Sequence, residues 1–275
     1  NHAFSVISTG GFSTKNLSIA SFDSNLINIL TIIFMFLSSV HFGLIYMVFA
    51  TRSLRPLNNP VLKFYVLTIL IASLLVALSL KMSSAGFTWG DSFMTGIFQV
   101  VSFISTTGFA ISDNNTWPLF ACFITVLISI PCGMAGSTTG GVKSDRMFLI
   151  FKTIGQQIKN SIHPSSINQV HVGNHIMGSN EIYPHFVYFG LYFITIAASI
   201  VLTVLSGMDI QNAFASSVSF LSNVGPALEA QGTLGNYNAV PVFAKVVFII
   251  DMFMGRVEIY PILAVVMMIF TGKKK

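Results

Sequence analysis

Three short runs of small residues hold the chemistry of this sequence. They are Ser8-Thr9-Gly10-Gly11-Phe12, Ser105-Thr106-Thr107-Gly108-Phe109 and Ser222-Asn223-Val224-Gly225-Pro226. Gly11 and Gly108 lie 97 residues apart, and Gly108 and Gly225 lie 117 apart. Each run follows a short stretch rich in Phe, Ser and Val (His2–Ser8, Ser92–Ser105 and Met208–Ser222) and precedes a polar turn and a long apolar segment. Repetition on this scale means one structural unit used several times. Glycine supplies the positive φ of a tight turn. Backbone that leaves a helix inside a bilayer strands its carbonyls, which is tolerated only where they line a pore or cavity. Carbonyls turned toward one axis replace the water shell of a dehydrated cation. A single Ser-Thr-Gly run also reads as a small-residue helix contact. Three runs in equivalent positions favour a pore lining.

The elements that position these runs follow from composition. The chain has 275 residues, of which 8% are charged, against about 25% in an ordinary soluble protein. Hydrophobic residues make up 53%, with 26 Phe. So little charge cannot clothe a water-facing surface, which excludes a soluble enzyme, a disordered tail and a coiled coil. The net charge of +5 does not indicate nucleic acid, because the basic residues are scattered between apolar runs rather than clustered. Cys122 and Cys132 sit in one apolar stretch and read as buried thiols.

A membrane crossing needs about 20 apolar residues as a helix. Five stretches qualify: Leu26–Ala50, Val61–Leu80, Trp117–Phe151, Tyr183–Leu205 and Val240–Phe270. The third is expected to break near Pro131–Gly141. The stretches before the glycine runs are too short to cross and read as re-entrant pore helices. The expected fold is an all-α membrane protein with repeated helix–pore-loop–helix units around a central ion pore. All three runs then fall on one face. The opposite face holds Arg52, Arg55, Lys63, Lys143, Arg146, Lys152, Lys159, Lys273, Lys274 and Lys275, against Lys15, Lys81 and Lys245 on the motif face. Ten against three places the motif face outside the cytoplasm. That face also carries Asp23, Asp91, Asp113, Asp209 and Glu229, read either as a cation-concentrating ring or as ordinary loop acids.

The break in the third span contains Pro131-Cys132-Gly133-Met134-Ala135-Gly136, which cannot remain an ordinary helix. The run from Gly136 to Lys143 is not a phosphate-binding loop, because Val142 separates the last glycine from the lysine and an apolar span precedes it. It reads either as a movable plug or as a kinked helix that only packs. Lys245, Asp251, Arg256 and Glu258 fall within the last span. Charges there normally face protein or water. Arg256 is either a fixed positive barrier beside the path or the partner of Asp251, Glu258 or a neighbour. His41, in the first span, reads as a satisfied packing histidine. Residues 169–177 alternate about Gly173-Asn174, which predicts a β-hairpin.

Taken together, these motifs resemble the transmembrane subunit of the Trk/Ktr/HKT superfamily of potassium transporters, closest to the bacterial Trk type. That family has four helix–pore-loop–helix units around one pore. The three glycine runs are similar to its second, third and fourth pore loops. Ala135 to Lys143 resembles its intramembrane gating loop, and Gly255-Arg256-Val257-Glu258-Ile259 its last-helix motif. The resemblance divides the chain into 1–52 (second unit, outer helix missing), 53–160 (third unit with its broken inner helix), 161–182 (cytoplasmic hairpin linker) and 183–275 (fourth unit). The first unit is expected to be absent.

It implies potassium uptake through a carbonyl filter at Thr9, Gly10, Gly11, Thr106, Thr107, Gly108, Asn223, Val224 and Gly225. It implies gating by Gly136, Ser137, Thr138, Thr139, Gly140, Gly141, Lys143 and Arg256. Potassium, held at the filter residues only, is the transported ligand; no cofactor is expected. The implied setting is the bacterial cytoplasmic membrane, multi-pass, with a cytoplasmic carboxyl terminus. The implied partners are the lipid bilayer, a second copy in a homodimer, and a cytosolic nucleotide-binding regulatory subunit for which the hairpin is a contact. The rival readings are a sodium- or proton-coupled cation symporter and a truncated, non-conducting fragment.

Overall fold

A computed structural model of the chain describes residues 1–83, 86–163, 170–173, 175–228 and 231–271. The described helices are α1 (His2–Ile7), α2 (Asn25–Ser39), α3 (Phe42–Thr51), α4 (Pro60–Met82), α5 (Trp89–Ile104), α6 (Leu119–Ile128), α7 (Ser144–Ile162), α8 (Ser179–Leu205), α9 (Ile210–Leu221), α10 (Val242–Val257) and α11 (Ile259–Thr271). Strands β1 (Val170–Val172) and β2 (His175–Met177) pair antiparallel, with Val172 opposite His175. The hairpin therefore forms where the alternation predicts it, although Gln169 and Asn174 lie outside the described residues, as do Glu229 and Lys273 to Lys275.

The three short stretches are α1, α5 and α9, the last two starting a few residues from where the sequence suggests. Local chemistry starts the helices. The Asn59 side chain accepts from the amides of Val61 and Leu62, ahead of Pro60 in the first turn of α4. Thr88 accepts from the Asp91 amide at the start of α5, and Asp209 accepts from the Gln211 amide at the start of α9. Asp91 and Asp209 are thus tied up at helix starts, and Asp113 accepts from the Asn115 amide at 3.0 Å. This favours the ordinary loop-acid reading over a free acidic ring. Gly96 lets α5 lie against α4, since a Cβ there would stand 3.0 Å from the Ser73 carbonyl oxygen.

Two expected spans prove to be broken. Among the described residues, α4 and α8 are the helices long and apolar enough to cross a membrane unbroken. The segment expected as Leu26–Ala50 is α2 and α3, bent by 97°, and the segment expected as Val240–Phe270 is α10 and α11, bent by 111°. The first break has its cause elsewhere in the chain. At Val40 and His41 the helix opens, and the carbonyls left without helical partners are taken by the segment after α6. The Met134 amide donates to Ser39 at 2.9 Å, and the Thr138 hydroxyl to Ser38 at 3.2 Å. The Phe42 amide in turn donates to the Gly136 carbonyl at 3.1 Å. The second break lies at Glu258, whose φ is 71°. Pro261 could not have donated to Val257 in a continuous helix. The third span breaks as expected, with α6 ending at Ile128 and α7 starting at Ser144 and running on to Ile162.

Candidate functional site

Each glycine run begins where a pore helix ends, and the three ends share one geometry. The first residue after the helix remains right-handed, and the second is left-handed despite its side chain: Thr9 at φ 51°, Thr106 at 54° and Asn223 at 62°. The third residue donates its amide back to the helix: Gly10 to Ser5 at 2.8 Å, Thr107 to Ser102 at 2.9 Å and Val224 to Ser219 at 2.9 Å. This is the Schellman way of closing a helix. Two residues after the left-handed one comes another positive φ, now at Gly11 (66°), Gly108 (75°) and Gly225 (99°). Left-handed residues flanking an ordinary one turn successive peptide planes away from the alternation of a strand. Three non-glycine residues in the αL region at matching positions store strain, as functional backbone does.

The corners touch one another. A Cβ on Gly11 would overlap the Thr107 carbonyl oxygen, and one on Gly108 would overlap the Val224 carbonyl oxygen. Gly11 and Gly108 therefore each abut a backbone oxygen of the next unit, so the runs converge instead of dispersing into lipid. Thr9, Thr106, Thr107 and Val224 are buried.

The loop from Gly136 to Gly141 lies against all three corners. The Thr9 hydroxyl donates to the Thr138 carbonyl at 2.9 Å. The Gly140 amide donates to the Thr106 hydroxyl at 3.2 Å. A Cβ on Gly140 would stand 2.8 Å from the Ser222 carbonyl oxygen and 2.9 Å from the Asn223 Cβ. The loop thus reaches the left-handed residue of every run. Within it, Ser137 and Thr139 share a hydroxyl contact of 2.8 Å, and the Lys143 ammonium donates to the Thr139 carbonyl. Gly141 is held to glycine twice over, by φ 68° and by Cys132 Sγ, which a Cβ would strike.

Arg256 is brought to the same place. Gly255 lets α10 press on the end of α9, where a Cβ would overlap the Leu221 carbonyl oxygen, and the Asn223 side-chain amide donates to Met252 O at 3.0 Å. The Arg256 guanidinium then lies 3.4 Å from the Ser8 carbonyl oxygen and is exposed. The ion-pair reading of Arg256 with Asp251 or Glu258 is overturned. Glu258 pairs with Arg146 at 2.7 Å, and Asp251 is buried against the Ser199 hydroxyl. His41 is not the satisfied histidine expected. Its Nδ1 is buried with no hydrogen-bond partner among the described residues, and its ring faces Gly136 at the break after α2.

A family model described as TrkH, a cation transport protein, matches residues 1–272. The chain belongs to the TrkH family. Among its relatives, the Trk system potassium uptake protein TrkH of Escherichia coli K12 is 32% identical over 267 residues, covering 95% of this chain and 54% of that protein. TrkG of the same strain is 30% identical over 266 residues, with 95% and 54% covered. The crystal structure of the potassium transporter TrkH from Vibrio parahaemolyticus superposes with a TM-score of 0.88 at 30% identity, covering 95% of this chain and 56% of that one. The chain therefore spans about half the length of the curated relatives it matches. Membership bears out the superfamily resemblance and the helical membrane fold, and the family is one of transporters rather than enzymes.

Several residues of this TrkH-family site escaped the sequence reading. Ser5, Ser102 and Ser219 stand in the three pore helices at the same 97- and 117-residue intervals as the glycines. Ser5 Oγ accepts from the Phe12 amide at 2.7 Å, while Ser102 and Ser219 donate to Phe109 O and Pro226 O at 2.6 Å. Carried one turn back from the runs, the same spacing would have found them. Asn114 and Thr233 tie the segment after the third run to the one after the fourth. The Asn114 side chain donates to Ala227 O at 2.9 Å and accepts from the Thr233 amide at 2.9 Å.

Proposed function

We propose that this chain forms most of the ion path of a potassium-uptake protein of the bacterial cytoplasmic membrane. Thr9, Gly10, Gly11, Thr106, Thr107, Gly108, Asn223, Val224 and Gly225 supply the filter backbone. The observation that carries this reading is the threefold recurrence of one corner, left-handed at the same two positions, with Gly11 and Gly108 each packed on the next unit's carbonyl. Peptide oxygens held this way replace the hydration shell of an alkali cation. The names of the relatives, potassium uptake proteins, support potassium as the ion.

Residues 1–52, 53–160 and 183–275 act as successive units, with 161–182 as the cytoplasmic linker. The loop from Gly136 to Gly141, with Lys143 and Arg256, is the gate, because it touches every corner and leaves two fixed cations beside the path. The whole protein works as a homodimer in the bilayer with a cytosolic nucleotide-binding subunit that meets the β1–β2 hairpin. It needs no cofactor.

The test is rubidium uptake in cells lacking their own potassium uptake and carrying the complete gene. Uptake that saturates and is competed by potassium, and that rises when residues 136–141 are deleted, is expected. No uptake above the empty-vector level refutes transport, and a deletion without effect refutes the gate.

A further inference from the structure

We propose that Tyr237, in the segment between α9 and α10, is a positioning residue for the fourth corner and sets how sharply the path discriminates among alkali cations. The inference rests on reading the three corners as an ion filter.

One peptide plane in each unit follows the filter glycine. In the first of the three runs that plane is Gly11–Phe12. It is anchored through its N–H, which donates to Ser5 Oγ at 2.7 Å. In the last run the corresponding plane is Gly225–Pro226, and proline has no N–H to give. Ser219, like Ser102 on the Phe109 carbonyl of the middle run, donates onward to the Pro226 carbonyl at 2.6 Å. The carbonyl is thus the only polar group by which the Gly225–Pro226 plane can be held. That carbonyl accepts from the Tyr237 hydroxyl at 2.7 Å. Among the described residues, the carbonyls of Gly11 and Gly108 accept no hydrogen bond.

Tyr237 is itself well anchored. Its ring packs on Phe220 of α9 with centroids 4.9 Å apart, and Phe220 stacks on Phe248 of α10 at 4.5 Å. The hydroxyl is thereby fixed relative to both the pore helix and the helix that carries Arg256. Burial pushes the phenol above its ordinary ionisation range, so it stays a donor. Gly225 has the most open φ of the three glycines, at 99°. Without the hydroxyl, rotation at this glycine lets its carbonyl swing. A swinging carbonyl fits a smaller cation as readily as a larger one, so discrimination falls.

The experiment uses the complete gene in cells lacking their own potassium uptake and measures rubidium and sodium uptake together. The ratio of the two is independent of how much protein reaches the membrane. Tyr237→Phe keeps the ring and removes the donor; the rubidium-to-sodium ratio is expected to fall by about two- to tenfold, the effect of one lost hydrogen bond. An unchanged ratio in Tyr237→Phe, or a proportional fall in both ions, overturns the proposal. Gly108→Ala serves as the separate check on the filter reading. If it abolishes uptake while Tyr237→Phe leaves the ratio intact, the filter stands and the role of Tyr237 is wrong. If Gly108→Ala leaves uptake at the wild-type level, the filter reading itself falls.

Discussion

Placing one methyl group on neighbouring glycines separates a filter from a merely glycine-rich turn. At Gly108, alanine meets two obstacles. Its φ of 75° is left-handed, which costs an L-residue roughly 1–2 kcal/mol. Its Cβ also overlaps the Val224 carbonyl oxygen and stands 3.0 Å from Pro226 Cδ. A backbone oxygen cannot swing aside as a side chain can, so the third and fourth corners must part by on the order of 1 Å. An error of that size in a preorganised site costs on the order of 100-fold in rate. At Gly10 the same methyl group meets little. The backbone there has no positive φ, and the nearest atoms are the Phe12 ring at 3.2 Å and Ser8 Oγ at 3.3 Å. The Phe12 ring is exposed and free to shift, so the cost stays near 0.5 kcal/mol, about twofold in rate. Rubidium uptake by the complete protein, normalised to its amount in the membrane, should show Gly108→Ala near background and Gly10→Ala near wild type. Equal uptake by the two variants, in either direction, would refute the assignment of the Gly108–Val224 contact to the filter.

Two further outcomes follow from the charges. Arg256→Ala should leave membrane abundance unchanged and raise uptake by about tenfold, because the guanidinium has only the Ser8 carbonyl within reach and no acid among the described residues; loss of protein in step with uptake would refute this. Glu258→Gln should lower the thermal midpoint of the purified protein by the equivalent of about 1–2 kcal/mol, between the values for exposed and buried pairs. It leaves Arg146 with the Tyr188 ring, 3.9 Å away, in place of a carboxylate. Thermal stability unchanged from the wild type would show that the pair does not brace α7 against the bend after α10.

The repeat was legible because its determinants are local. A pore helix, a left-handed corner and a glycine all sit within a few residues, and recurrence at 97 and 117 residues marks them as equivalent. The hairpin was legible for the same reason, since two residues decide its turn. The break after α2 was not. Nothing between Ser38 and Phe42 is a proline or glycine, and the carbonyls the helix gives up are taken by Met134 and Thr138, about a hundred residues on. The partner of Glu258 was missed likewise, because Arg146 stands 112 residues away. Spacing along the chain suggested Arg256, and the bend at Glu258 removes that choice by sending the carboxylate to α7. Tyr237 reaches Gly225, twelve positions earlier, through a single hydroxyl, and no periodicity announces such a contact.

The loop and the broken helix are better understood as one device than as two. Movement of the loop away from the corners breaks its bonds to Thr9 and Thr106, and it also uncovers the carbonyls of Ser38 and Ser39 that α2 gave up. In an apolar setting each uncovered group costs far more than the net value of a hydrogen bond. The loop therefore cannot leave into a dry space. It can leave only if water enters with it to satisfy those groups. The same water is what a cation needs as it exits the filter and regains a hydration shell. On the gating reading, the break in α2 thus couples opening to wetting. A change that satisfied Ser38 and Ser39 without the loop would loosen the gate, whereas a change that merely enlarged the space beside it would not.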